Sequence, residues 1–107
     1  MTDIVEPGLE AYATAHTTAP PAHLQELATE LEATLPAPGM MVGRLEGRFL
    51  ELLTFALGAR RVLEIGTFGG YSALAMAAGL APGGSIVSCE IDPVHAEFAR
   101  RHIAASP

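Results

Sequence analysis

With 107 residues the chain is long enough for one small domain, and half of its residues are hydrophobic. Its formal net charge is −6 and all six basic residues are arginine, without a basic stripe, which argues against direct nucleic-acid binding. A lone cysteine, Cys89, excludes an intramolecular disulfide framework and is expected to be a small buried hydrophobe. The acidic opening residues and the absence of a membrane-length apolar run make a cytoplasmic address the expectation, with no membrane partner.

Residues 1–39 are expected to form a helical arm and a loop. Positions 1–20 are weakly patterned and predict one or two helical turns on each side of Pro7 and Gly8. Leucines spaced by three and four then predict an amphipathic helix over 22–35. The stripe is too short for a coiled coil, so we expect it to serve ordinary packing. Its members are Leu24, Leu27, Leu31 and Leu35.

A second helix is predicted over residues 44–57, with Gly58 as its C-terminal stop. We expect this helix to bury one apolar face. The residues of that face are Leu45, Phe49, Leu52, Leu53 and Ala56.

Residues 61–107 change period and predict an α/β fold. Short apolar strands are expected at 61–65 and 85–91, separated by a helix of small residues at 71–80. A helix over 92–106 follows, with Asp92 as its N-cap. Strand–helix–strand with this connection length is a βαβ unit, which requires parallel strands.

The turn after the first strand carries the chemistry. Ligands of open parallel sheets sit beyond the carboxyl ends of the strands, where Gly66, Gly69 and Gly70 let the backbone approach a ligand. Glu90, at the end of the second strand, is placed to accept hydrogen bonds from ribose hydroxyls. Glu64, in the strand before the turn, disfavours a pyrophosphate and favours a cationic or zwitterionic ligand.

The glycine spacing matches neither common phosphate-binding motif. "GTFGG" is not G-x-G-x-x-G, and a chain without lysine has no P-loop. S-adenosylmethionine fits, since it combines a ribose with a sulfonium and an amino group. Several nucleotide-binding families share a glycine turn followed by an acid, so the pattern alone leaves other nucleosides open.

Three segments carry a family resemblance: "MMVGRLEGRFLELL" (40–53), "VLEIGTFGGYSALAMA" (62–77) and "IVSCEIDPVHAEFARRHIA" (86–104). Together they strongly resemble the metal-dependent O-methyltransferases, which include the catechol and caffeoyl-CoA types. The resemblance implies that residues 40–107 are the N-terminal portion of a Rossmann-like class I methyltransferase domain, with an incomplete parallel sheet. One departure is Gly69, where the family usually has a side chain, and this is expected to loosen the turn.

The resemblance implies a set of residues that bind S-adenosylmethionine. Glu64 would hold the amino-acid end of the cofactor, Ser72 its carboxylate and Glu90 its ribose hydroxyls. Ile91 would lie against the adenine, and Met40 or Met41 near the transferred methyl. The full set is Val42, Glu64, Gly66, Thr67, Tyr71, Ser72, Glu90 and Ile91.

Structural interpretations stay open for most of these positions. Val42 and Ile91 could only pack, and Gly70 could only allow a helix and a strand to approach each other. Glu64 could be an ion-pair partner and Ser72 a helix cap. Glu90 is hardest to explain in this way, because a carboxylate ending a buried strand costs free energy unless it is paired.

The acceptor side of the family's chemistry has no counterpart in the sequence. The resemblance implies a seven-stranded sheet, a divalent metal of the magnesium type held by two aspartates and an asparagine, and a basic residue. The chain has no asparagine or lysine, and its only aspartates are Asp3 and Asp92. His95 and His102, seven apart on one predicted helix, are expected to be solvated. No catalytic residue and no metal ligand is therefore assigned.

Two functions remain in competition. The first is an O-methyltransferase of small catechol-like or phenolic hydroxyl acceptors, of which only the cofactor-binding part is present. The second is a non-catalytic chain that binds S-adenosylmethionine and needs a partner, either a second copy or a complementing chain. An interaction module built on the helix over 22–35 has little support.

Overall fold

Two parallel strands and five α-helices make up the fold in a computed structural model that describes residues 4–107. Within that range no helix has the length and apolarity needed to cross a membrane. In chain order the elements are α1 (Pro7–Ala15), α2 (Ala22–Thr34), a 3₁₀ turn (Pro38–Met40), α3 (Gly43–Ala56), β1 (Arg61–Ile65), α4 (Tyr71–Ala77), β2 (Ser85–Cys89) and α5 (Pro93–Ala105).

The predicted βαβ unit is confirmed by the sheet. β1 and β2 run parallel in a register that pairs Arg61 with Ser85 and Ile65 with Cys89. The second strand ends at Cys89 rather than at residue 91, because the backbone of β1 turns away after Ile65. The Cys89 carbonyl accepts the last two backbone hydrogen bonds at this end of the strand pair, from the N–H groups of Gly66 (2.9 Å) and Thr67 (3.1 Å). Glu90 and the residue after it therefore lie in a loop beyond the strand.

The helix boundaries follow local chemistry. Asp92 caps α5 by accepting hydrogen bonds from two backbone N–H groups of the first turn, as predicted. Gly58, with φ of +60°, ends α3 as predicted. α4 ends at Ala77, three residues earlier than predicted. A tighter turn follows it, in which the Gly79 N–H donates to the carbonyl of Met76. Helical turns were predicted on both sides of Pro7 and Gly8, but the helix begins at Pro7 and has nine residues. Residues 4–6 are not helical, and residues 1–3 lie outside the described residues.

The leucine stripe of α2 forms the centre of the core, as its spacing predicted. Leu27 and Leu31 are completely buried, and all four leucines of the stripe are buried. They belong to one apolar cluster with side chains from the turn, α4 and α5, namely Phe68, Tyr71, Leu74, Ala75 and Phe98. The buried face of α2 therefore packs against the turn between β1 and α4.

The predicted apolar face of α3 is wrong. Phe49 is 62% exposed and Leu52 is 63% exposed, whereas the buried residues of α3 are Gly47 and Thr54. Small side chains let α3 lie close to α4: a Cβ at Gly47 would stand 2.8 Å from Cε1 of Tyr71. Close approach, rather than the leucine-rich stripe, decides which side of α3 faces inward.

One face of the sheet is bare. Leu63, Ile65 and Val87 are each more than 60% exposed, because α4 covers only the opposite face. Cys89 lies on the same bare face and is exposed, so its expected burial is wrong. Apolar strands of this kind normally carry cover on both faces.

A polar contact ties α2 to α5. Glu30 accepts hydrogen bonds from Arg101 (Nη2 to Oε1, 3.0 Å) and from His102 (Nε2 to Oε2, 2.6 Å). The hydrogen bond from Arg101 is the main cause that lowers the pKa of Glu30 below its usual value. The His102 side chain is only 14% exposed, so it is not the solvated histidine that was expected.

Candidate functional site

The turn between β1 and α4 has its backbone open on one side. Gly66 adopts φ of +86°, a region that side chains other than hydrogen rarely allow, and a Cβ added there would meet nothing within 4 Å. A ligand can therefore reach the backbone of the turn directly at Gly66.

The other two glycines serve packing. Gly70 has φ of +91°, and a Cβ there would lie 3.3 Å from Cβ of Ala99 in α5. A Cβ at Gly69 would collide with the Leu31 side chain of α2. The expectation that Gly69 loosens the turn is therefore wrong, since its missing side chain makes room for α2. For Gly70 the interpretation of close approach is right, but its neighbour is Ala99 of the helix α5 and not a strand.

Glu90 is fixed in place by two backbone N–H groups. Phe68 N–H donates to its Oε1 (2.7 Å) and Asp92 N–H to its Oε2 (3.2 Å). Nδ1 of His95 lies 3.9 Å from Oε2, and the side chains of Glu90 and His95 are 11% and 13% exposed. His95 is thus partly buried against the acid instead of solvated. A carboxylate has about four lone-pair sites, so Glu90 retains acceptors for further hydroxyls.

Glu64 is held by two hydroxyls. The hydroxyl of Ser72, in α4, donates to Oε2, and Ser88, its register partner in β2, donates to Oε1 over 2.9 Å. The partners of Glu64 are therefore neutral, which disfavours the ion-pair interpretation. Ser72 makes no side-chain cap on α4, so the cap interpretation is also wrong.

Two concavities meet at Gly66. The first, here the inner hollow, encloses about 40 Å³ and contains most of the predicted cofactor residues. Its walls are Met40, Met41, Val42, Gly66, Thr67, Phe68, Gly69, Tyr71 and Ser72. The second, here the outer groove, has about 360 Å³ and is formed by Ile65, Gly66, Cys89, Glu90 and Ile91. All predicted site residues except Glu64 line one of the two, and Glu64 touches Ser72.

The inner hollow has an unsatisfied polar group in its wall. Thr67 is 7% exposed, and its Oγ1 has no hydrogen-bond partner among residues 4–107. A buried hydroxyl without a partner costs free energy, which a polar ligand or water would recover. Tyr71 is 3% exposed, and its burial raises the pKa of its phenol.

Val42 and Ile91 differ in burial. Val42 packs against the core at the mouth of the inner hollow, so packing accounts for part of its placement. Ile91 is 99% exposed at the edge of the outer groove. The interpretation of Ile91 as a core residue is wrong, and its side chain is free to contact a ligand.

The described residues offer no metal site. Within residues 4–107 no group of three or more His, Cys, Asp or Glu side chains could hold a metal ion. Asp92 is occupied as the cap of α5. Asp3, the other aspartate considered, lies outside the described residues. A divalent metal does not fit this part of the chain.

The Ser88→Ala variant is expected to destabilise the arrangement around Glu64. It removes one hydrogen bond to the carboxylate, which is worth about 1.5–3 kcal/mol for a charged acceptor. Urea unfolding followed by circular dichroism would measure the loss. Ser85→Ala, at an exposed position of the same strand, is the control and should change stability by less than about 0.5 kcal/mol. Equal effects of the two variants would show that Ser88 does not support Glu64.

Comparison with known proteins decides the family. The family model described as "O-methyltransferase" matches residues 14–107. The chain belongs to the O-methyltransferase family. It is 48% identical to a catechol O-methyltransferase of Mycobacterium tuberculosis over an alignment of 80 residues. This alignment covers 75% of this chain and 36% of the relative. Over 76 residues it is 38% identical to a catechol O-methyltransferase of Niastella koreensis, covering 71% of this chain and 34% of the relative.

Solved O-methyltransferase structures share the fold. An O-methyltransferase from Bacillus cereus, in complex with SAH, superposes with a TM-score of 0.80 at 38% identity over 91% of this chain and 44% of that one. The O-methyltransferase TomG from Streptomyces achromogenes, in complex with SAM, gives a TM-score of 0.79 at 32% identity, with coverages of 91% and 43%. The chain thus spans about a third to a half of these relatives. The class I methyltransferase fold predicted from the sequence is confirmed.

Three features of the candidate site were not predicted from the sequence. Ser88 could have been found by aligning the two strands in parallel register, which sets it opposite Glu64. Phe68 gives no signal in a single sequence, because its contribution is a backbone N–H. The partial burial of His95 follows from the way that α5 returns over the turn.

Proposed function

We propose that the turn of this O-methyltransferase chain binds S-adenosylmethionine and forms the methyl-donor side of a transfer reaction. One observation carries the proposal: the inner hollow and the outer groove meet at Gly66. A carboxylate held by hydrogen bonds lies at each of them, Glu64 beside the inner hollow and Glu90 in the outer groove. The relatives of known structure that bind SAH and SAM support this choice of ligand.

The outer groove would take the nucleoside. Ribose hydroxyls would donate to the remaining lone pairs of Glu90, whose orientation is already set by two N–H groups. The exposed side chain of Ile91 would lie against the adenine. A pocket of a few hundred Å³ is in the range of small-molecule sites.

The inner hollow would take the amino-acid end. The hydroxyl of Thr67, unpaired within residues 4–107, would donate to the carboxylate of the cofactor beside Val42. Ser72 would donate to the same carboxylate once its hydroxyl turns away from Glu64. The Glu64 carboxylate would attract the ammonium group and the sulfonium. Met40 and Met41 border the same hollow, on the side proposed for the methyl group.

The proposed reaction is direct methyl transfer to a hydroxyl. The S–CH₃ bond breaks as the O–CH₃ bond forms, S-adenosylhomocysteine leaves, and the hydroxyl proton passes to a base. Small catechol-like acceptors are favoured because similar chains are catechol O-methyltransferases. The base and any magnesium-type metal would come from polypeptide other than residues 4–107, which form no metal site. In this proposal residues 40–107 carry the donor site, residues 1–39 support it, and the protein works in the cytoplasm.

The bare sheet face favours a second candidate function. Leu63, Ile65 and Val87 expose an apolar surface next to the outer groove, which calls for further polypeptide before an acceptor can be enclosed. A cofactor-binding subunit that works with a partner chain or a second copy would meet this need. Both candidates predict that these residues alone do not methylate a catechol. The coding DNA downstream of this segment distinguishes them: an in-frame continuation with aspartate, asparagine and lysine would favour the enzyme, and a stop codon would favour the subunit.

Calorimetric titration of the chain with S-adenosylhomocysteine tests the proposal. We expect saturable heat with S-adenosylhomocysteine and none with NAD⁺, which offers a similar ribose and adenine but a pyrophosphate beside Glu64. Equal heats for both ligands would make this a general adenosine site. A folded chain that gives no heat with S-adenosylhomocysteine would contradict the proposal.

A further inference from the structure

Phe68 combines a left-handed backbone with a buried side chain. Its φ is +54°, in a region that L-residues rarely adopt, and the residue is 7% exposed. Such a conformation persists only where the surroundings impose it, and it concentrates at binding sites. Glycine would adopt it without cost, so the choice of phenylalanine needs an explanation.

The ring supplies the anchor that holds this conformation. It belongs to the central apolar cluster with the leucines of α2. It also makes a T-shaped contact with the His95 ring, with centroids 4.7 Å apart and planes at 89°, a favourable aromatic arrangement. Packing on both sides thus fixes the turn where α2 and α5 converge.

The result of this conformation is the direction of one N–H group. Phe68 N–H donates to Oε1 of Glu90 over 2.7 Å, a contact between the turn after β1 and the loop after β2. Asp92 N–H holds the other oxygen. The carboxylate is therefore oriented before any ligand arrives, and part of that orientation depends on the backbone of residue 68.

We propose that Phe68 is a positioning residue, whose buried ring holds a left-handed backbone so that its N–H orients Glu90 for the ribose hydroxyls. This rests on the proposed function of Glu90. Phe68 does not donate to the ligand itself in this role. It reduces the reorganisation that ribose binding requires, which is the general advantage of a preorganised site.

The test compares Phe68→Ala with Phe68→Gly. Both variants delete the same ring, so they lose the same core packing, but glycine accepts positive φ and alanine resists it. The readout is ribose discrimination, the ratio of the dissociation constant of the 2′,3′-dideoxy analogue of S-adenosylhomocysteine to that of S-adenosylhomocysteine. We expect discrimination to fall in both variants, because both lose the ring that anchors the turn. It should be about five-fold greater in Phe68→Gly than in Phe68→Ala, because alanine also resists the left-handed backbone.

A residue that only fills the core would behave differently. Both variants would then weaken both ligands equally, and unchanged discrimination would overturn the positioning role. If the wild-type chain binds S-adenosylhomocysteine no better than the dideoxy analogue, the proposed function of Glu90 fails instead, and this inference with it.

A second measurement needs no change at Phe68 and covers variants that do not fold. In the wild-type chain the amide of Phe68 should exchange slowly with solvent, and Glu90→Gln should accelerate that exchange. Its amide resonance should also move when S-adenosylhomocysteine binds. Fast exchange in the wild type, or a resonance that the ligand leaves unchanged, would overturn the proposal.

Discussion

Glu90→Ala is expected to weaken binding of S-adenosylhomocysteine by about a hundred-fold or more. Each hydrogen bond from a hydroxyl to a carboxylate is worth about 1.5–3 kcal/mol, and the proposed ribose contact contains two of them. Isothermal titration calorimetry of the wild type and the variant measures the difference. A thermal melt of each protein shows whether the variant is folded, since the substitution also leaves two backbone N–H groups without Glu90.

Glu97→Ala is the matched control. Glu97 follows Glu90 by seven residues and is 65% exposed on α5, and within residues 4–107 its one ion pair is with the exposed Arg100. Its removal changes the net charge by the same amount without touching the outer groove. If both variants bind S-adenosylhomocysteine equally well, Glu90 does not hold the ribose, and the nucleoside would have to lie elsewhere.

Leu31→Ala is expected to cost about 2–5 kcal/mol of unfolding free energy. Leu31 is completely buried, belongs to the central cluster and lies against Gly69 of the turn. Its truncation removes apolar contact and leaves a cavity between α2 and the turn. Small domains have about 5–15 kcal/mol in total, so a large part of the stability would be lost. Urea unfolding at equilibrium, followed by circular dichroism, gives the value.

Leu52→Ala provides the comparison for that experiment. It is the same substitution on a helix, but Leu52 is 63% exposed, so the change should be within about 0.5 kcal/mol. A loss in Leu31→Ala no larger than in this control would mean that α2 does not stabilise the turn. The core of the chain would then have to be sought between α3 and α4.

The periodic parts of the sequence predicted most of the fold. The leucine spacing of α2 gave its buried face, and two apolar strands around a helix gave the parallel sheet. The apolar stripe of α3 predicted the wrong buried face, because burial in this helix follows from how closely Gly47 lets it approach Tyr71. Periodicity identifies an apolar face but carries no information on whether another layer exists to cover it, and Cys89 was misplaced for that reason.

The sequence predicted which residues form the candidate site better than it predicted the hydrogen bonds between them. Parallel strands bring Glu64 and Glu90 to one end of the sheet, and the glycine spacing locates the turn. The role of Ser88 depends on the register of the two strands, and that of Phe68 depends on its positive φ. Neither property can be read from a single sequence. The remaining assignments of cofactor contacts stay predictions that the titrations address.

The uncovered face of the sheet has a consequence for handling the protein. β1 pairs with β2 on one side only within the described residues, and its apolar side chains Leu63 and Ile65 face outward. An unpaired strand edge beside an apolar surface is a template for strand addition between molecules. Association through this edge is therefore expected to increase with protein concentration, so the titrations are best made on dilute samples.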